Sequence, residues 1–164
     1  MEQALKVKKD RYQKALDMTL ALSKERLHKE LVALYLSGSY LRGDFIPGWS
    51  DIDITAIVKD EVWANESMKR QFFEKCKAIC KEVEDAYLGI SIDLGTPLGT
   101  TSESVIREKS NLALFLLKKD KQKLLFGQDI LKETPALGVE RVPEWGRAAT
   151  LWLCDHFLEF FRHP

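Results

Sequence analysis

Between residues 2 and 30 the apolar positions Leu5, Tyr12, Leu16, Leu20 and Leu27 recur near helical spacing, and no Pro or Gly interrupts them. That pattern predicts one long amphipathic helix. LVALYLSG (31–38) is apolar without alternation and ends in glycine, the mark of a short buried strand. Residues 39–50 carry Gly43, Pro47 and Gly48 and read as a turn, or a single helical turn, followed by a loop. In DIDITAIV (51–58), Ile52, Ile54, Ala56 and Val58 alternate with Asp51, Asp53, Thr55 and Ile57. One face of that strand suits a core, and the other opens on two acids. Residues 62–86 give a second amphipathic helix, with Phe72, Phe73, Cys76, Ile79, Cys80 and Val83 as its apolar set, and YLGISIDLG (87–95) a third strand.

Further on, Thr100 and Glu103 form a capping-box pattern that starts a helix. Residues 111–117 fit either a helix or a strand, and KLLFG (123–127) fits a short strand. A last helix begins with Pro143 at its first position. Its apolar residues, among them Leu151, Trp152, Leu153, Phe157 and Phe161, cover much more than one face. Such a helix needs burial on several sides. The expectation is a further domain, a contact between copies of the chain, or a chain cut within an element; plugging this domain's own core is the plain alternative. The order of elements predicts an α/β (α+β) fold, a small mixed sheet flanked by helices. Residues 1–130 make up its domain, and 131–164 a linker and the apolar helix.

Composition narrows the function classes. At 45% hydrophobic and 30% charged residues, the 164-residue chain is of ordinary soluble globular type. No apolar run approaches the ~20 residues of a membrane span. The charged N-terminus lacks a signal-peptide apolar segment. With 25 basic and 25 acidic residues the net charge is zero, which argues against a general nucleic-acid coat but leaves a local basic groove open. Lys118, Lys119, Lys121 and Lys123 form a basic run that reads first as a solvated turn and second as a phosphate or RNA contact. Cys76, Cys80 and Cys154 lack zinc-site spacing and read as free core thiols of a cytoplasmic protein. His28, His156 and His163 show no ligand spacing, and Glu82, Glu84 and Asp85 read as the solvated face or end of their helix.

The chemistry lies between Leu36 and Val58. Residues two apart on a strand share a face at roughly 6.6 Å, so Asp51 and Asp53 repel unless something positive sits between them. A divalent cation is the natural candidate, because hard oxygen ligands suit Mg²⁺. Gly38-Ser39 at a strand end offers backbone N–H groups and a hydroxyl, a phosphate cradle. Arg42 either faces the same ligand with its planar fork or pairs with Asp44 at the surface. Asp93 projects opposite to Ile90, Ile92 and Leu94, so neighbouring strands would bring three carboxylates together. Such a cluster suits two metals clamping an in-line phosphoryl displacement. Trp49 stacks on a base or acceptor, or else anchors its loop.

GSYLRGDFIPGWSDIDI (38–54) resembles the signature of the nucleotidyltransferase superfamily typified by DNA polymerase beta. Gly38, Ser39, Arg42, Gly43, Ser50, Asp51 and Asp53 match it, and Asp93 matches its third acid. The fuller pattern is similar to the branch holding bacterial aminoglycoside and minimal nucleotidyltransferases, and LLFGQDI (124–130) resembles a segment that follows the catalytic sheet there. Leu41 and Phe126 depart from the residues common in that branch, away from the chemistry. The resemblance implies a polymerase-beta-like fold and an enzyme. Gly38, Ser39, Arg42 and Ser50 would bind the nucleotide. Asp51 and Asp53 would hold two Mg²⁺ ions, and Asp93 would bind the catalytic metal and take the acceptor's proton. The implied reaction moves a nucleoside monophosphate from an NTP, ATP first, to an acceptor hydroxyl, as on an aminoglycoside-like small molecule, with release of pyrophosphate. The alternative is an antitoxin-like minimal nucleotidyltransferase that binds, and adenylylates, a helical partner protein. A homodimer is a further expected partner; a membrane or nucleic acid is not.

Overall fold

The structure, a computed structural model, describes residues 2–95, 99 and 122–130, with side chains from residue 9 onward. The expected first helix is α1, Glu2–Arg26. It ends four residues earlier than the apolar spacing predicts, because the chain turns at Leu27, where the Leu31 N–H returns to the Leu27 carbonyl at 2.9 Å. The buried strand β1 covers Leu31–Leu36, and α2 is a single short helix over Gly38–Arg42. The alternating segment is β2, Ile52–Val58.

The second amphipathic helix is broken in two, α3 (Asp60–Ala64) and α4 (Glu66–Ala86). Asn65 makes the break. Its backbone is extended, and its side-chain oxygen accepts from the Ser67 and Met68 N–H groups at 3.0 and 3.1 Å. Asn competes for backbone hydrogen bonds in this way and so caps helices rather than extending them. The third strand, β3, is only Ile92–Leu94. Residues 87–91, expected to extend it, form a turn through Gly89 at φ +81°, and the Ile90 N–H donates to the Tyr87 carbonyl at 3.0 Å. β4 is Lys123–Gly127, as expected.

The sheet order is β3-β2-β1-β4. β1 is antiparallel to β2 and to β4, and β2 is parallel to β3. Parallel neighbours need a crossover, which α3 and α4 supply. One face of the sheet (Leu34, Leu36, Ile52, Ile54, Ile92 and Leu94) packs against Tyr12, Ala15 and Leu16 of α1, Leu27 in the turn after it, and Phe72, Cys76, Ile79 and Val83 of α4. Ile57, out of phase with that set, joins Ala33 and Tyr35 in a second cluster. The result is the expected mixed α/β fold, a small central sheet flanked by helices.

No helix among the described residues is long and apolar enough to cross a membrane. The expected helix start at Thr100, residues 111–117, most of the basic run, Cys154 and the helix from Pro143 lie outside the described residues.

Candidate active site

The topology decides where the acids meet. Parallel pairing sets Asp53 opposite Asp93, between the pairs Ile52–Ile92 and Ile54–Leu94. The four isoleucine and leucine side chains enter the core, so both aspartates project from the other face. Asp51 lies just ahead of β2. One carboxylate oxygen from each of Asp51, Asp53 and Asp93 lies within 4.8 Å of the others. The first two are half-buried and Asp93 is exposed.

Three carboxylates this close suit a cation. Metal–oxygen bonds of ~2.1 Å place opposite ligands of Mg²⁺ about 4.2 Å apart, so small side-chain rotations would bring these oxygens onto one ion. The electrostatics agree. Desolvation by the surrounding protein, followed by the charge of Asp51, raises the Asp93 pKa above the ordinary carboxylate value. A cation among the three would reverse that penalty.

Gly38 fits the cluster closely. Its φ is +72°, and a Cβ built there would lie 1.6 Å from Asp53 Oδ2. Glycine is required at this strand end on both counts. Ser39 follows it in α2 and is half-buried. The structure pairs Arg42 Nε with Asp44 Oδ2 at 3.2 Å on the exposed surface, the second of its two expected settings. Ser50 shapes the loop before Asp51. Its Oγ accepts from the Ile46 N–H at 2.9 Å, and its own N–H donates to the Ile46 carbonyl at 2.9 Å.

Two residues near the site were not legible as such. Glu84, expected on a solvated face, accepts from Ser91 Oγ and the Ile92 N–H, each at 3.0 Å, and so fixes the start of β3. Tyr12 reads in sequence only as a core position. Its buried hydroxyl was a signal, since a buried tyrosine seeks polar partners, and it finds them in the Gly48–Ser50 loop. That loop carries Trp49, which is 91% exposed and anchors nothing. Trp49, Leu88, Ser91, Glu84 and Asp85 line an open cleft of about 430 Å³ that reaches Ser50, next to Asp51.

Comparison with known proteins places this geometry. Comparison with curated protein sequences yields no match. Among solved structures, an Enterococcus spectinomycin adenyltransferase, AAD(9), solved with ATP and spectinomycin, is similar at 18% identity with a TM-score of 0.56. The similarity covers 79% of this chain and 62% of that one, so this chain spans less than two thirds of that enzyme's length. A toxin–antitoxin structure solved with AMP-PNP shows 20% identity and a TM-score of 0.44, over 71% of this chain and 77% of that one. The family model for the nucleotidyltransferase domain matches residues 20–125. That span holds Gly38-Ser39 and all three acids, and it covers well over half of the sequence. The chain has the polymerase-beta-like fold and catalytic-domain architecture of the nucleotidyltransferase domain family, and it belongs to that family.

Proposed function

We propose that this protein transfers a nucleoside monophosphate from an NTP, ATP in the first place, to an acceptor hydroxyl. The observation that carries the proposal is the convergence of Asp51, Asp53 and Asp93 beside Gly38. In this reading Asp51 and Asp53 hold two Mg²⁺ ions, and Asp93 holds the catalytic one. Bound there, the ions neutralise charge on the leaving group and lower the acceptor's pKa. Gly38 and Ser39 bind the triphosphate. Ser50 holds the loop before Asp51, and Arg42 reaches a phosphate on leaving Asp44.

The acceptor oxygen forms a bond to the α-phosphorus, and the bond from that phosphorus to the bridging β-phosphate oxygen breaks. Pyrophosphate leaves with that electron pair. Asp93 takes the hydroxyl proton.

For the acceptor we propose a cationic, aminoglycoside-like small molecule. Support comes from the cleft that reaches Ser50, where Glu84 and Asp85 supply negative charge and Trp49 an open ring face. Residues 1–130 act as the transferase domain, and 131–164 as a linker and an apolar helix that starts a helical domain or meets a second copy. The free thiols Cys76 and Cys80 fit a cytoplasmic setting.

The test needs no acceptor. A non-hydrolysable ATP analogue is titrated calorimetrically, with and without Mg²⁺, into wild type and Asp53→Asn. Binding that requires Mg²⁺ and is lost in the variant is the expected result. A folded wild-type protein that binds no nucleotide, or a variant that binds as wild type does, overturns the assignment.

A further inference from the structure

We infer that Tyr12 of α1 is a positioning residue for the carboxylate cluster, its hydroxyl setting Asp51. The inference rests on the metal-site reading above. Tyr12 and its neighbours Arg11 and Gln13 each contact a different segment of the site. Arg11 Nη2 donates to the Leu88 carbonyl at 3.1 Å, in the turn that leads to β3 and Asp93. Gln13 Oε1 accepts from Tyr40 Oη at 3.1 Å, in the short helix that begins with Gly38 and Ser39. Tyr12 holds the loop that leads to Asp51 and Asp53.

Tyr12 carries the most weight. Its hydroxyl accepts from the Gly48 N–H at 2.9 Å and donates to the Ser50 carbonyl at 3.0 Å. Its one proton and an acceptor site are therefore both committed to one loop. The Ser50 carbonyl belongs to the peptide unit that joins Ser50 to Asp51, so this bond orients the plane from which Asp51 departs. The ring is itself fixed. Tyr12 is 2% exposed, and the Tyr40 and Phe45 rings stand 5.8 and 4.9 Å from it, centroid to centroid. The bonds of Ser50 and Trp49 to Ile46 stay within the loop, and Trp49 at its tip is open to solvent. The Arg11 and Gln13 bonds are exposed, and water can replace them.

A brace is needed here because the ligands repel. Three carboxylate oxygens within 4.8 Å of one another repel without a cation, and the backbone behind each must keep them within reach of one ion. Groups that orient metal ligands from behind typically matter about 10- to 100-fold in metal affinity.

The test uses Mn²⁺ as the probe, titrated into the full chain and followed by electron paramagnetic resonance. Amide exchange of residues 46–51 is measured in parallel. Four proteins are compared: wild type, Tyr12→Phe, Thr19→Val and Asp53→Asn. Tyr12→Phe keeps the packed ring and removes both loop hydrogen bonds. Thr19 is the control for lost stability alone, since it is fully buried on the same helix and its Oγ1 donates to the Ala15 carbonyl at 2.8 Å.

Tyr12→Phe is expected to weaken Mn²⁺ binding about tenfold or more and to speed exchange in 46–51. Thr19→Val should leave both within about twofold of wild type, as expected of a site remote from the ligands. Wild-type Mn²⁺ affinity in Tyr12→Phe, or an equal loss in Thr19→Val, overturns the positioning role while the metal site stands. A wild-type protein that binds no Mn²⁺, or binds it as Asp53→Asn does, overturns the metal-site reading and this inference with it.

Discussion

Replacing Gly38 by alanine probes the site through its backbone. The new methyl carbon would lie 1.6 Å from Asp53 Oδ2, 2.5 Å from its Cγ and 3.1 Å from its Cβ. The carboxylate must therefore rotate away, which costs about 0.5–1.5 kcal/mol off its rotamer. Gly38 also has φ +72°, and a left-handed backbone costs an L-residue about 1–2 kcal/mol. Gly43 is the matched control, since its φ is +84° and a Cβ there meets nothing within 4 Å. Gly43→Ala should lose about 1–2 kcal/mol and Gly38→Ala about 1.5–3.5 kcal/mol. At roughly 2–4 °C per kcal/mol for a chain of this size, the two melting temperatures differ only modestly. Metal binding separates them. Gly38→Ala displaces a ligand and should weaken Mn²⁺ binding about 100-fold, whereas Gly43→Ala leaves it near wild type. Circular dichroism gives the melting temperatures and calorimetry the affinities. If Gly38→Ala melts as expected yet binds Mn²⁺ like Gly43→Ala, then Asp53 is not a ligand where the structure places it.

Two further outcomes follow from ionisation. Desolvation and then the charge of Asp51 raise the Asp93 pKa in the folded state. Its contribution to stability is therefore full below the unfolded carboxylate pKa and is lost as pH rises through the raised one. Denaturant titrations in a chelator should show that decline; Mn²⁺ should reverse it and Asp93→Asn should remove it, and an unchanged profile in Asp93→Asn counts against the shared site. Burial pushes the Cys76 thiol from 9.0 up to about 12, with the Cys80 thiol a smaller cause. Its contribution is likewise present below the unfolded value and lost as pH rises from about 9 through about 12. At pH 8 iodoacetamide should label Cys76 only after unfolding, and labelling of the native protein at the unfolded rate would refute that burial.

The fold and the acids were legible for one reason, which is that both rest on short-range patterning. Alternation in 52–58 tells the core face from the acid face, and the burial of Ile52, Ile54, Ala56 and Val58 follows it. What failed was local competition. Asn65 sits inside the single helix expected over 62–86, yet its side chain satisfies two amides and starts a new helix there. Leu88 falls in a strand-like alternation but is 75% exposed, because Gly89 turns the chain at positive φ. Arg42 could face either way on paper, and a neighbour two residues along took it. The Tyr12 bonds join residues 36 and 38 positions apart, and no periodicity reports a hydrogen bond across that distance.

The same contrast explains how the site is built. Residues 38–53 bring Gly38, Asp51 and Asp53 together through one antiparallel pairing, where the Ser37 N–H donates to the Asp53 carbonyl at 3.0 Å. Asp93 must arrive from 40 residues further along the chain, on a strand of three residues at the edge of the sheet formed by the described residues. Three ladder positions are too few to hold a charged side chain against its neighbours. The fold adds Glu84 on the start of β3, the burial of Ile92 and Leu94 beneath it, and a Gly95 N–H that returns to the Ile54 carbonyl at 3.1 Å. Like-charged groups stay together here because apolar burial on one face of β2 and β3 fixes both backbones. The repulsion on the other face can then be relieved only by something positive.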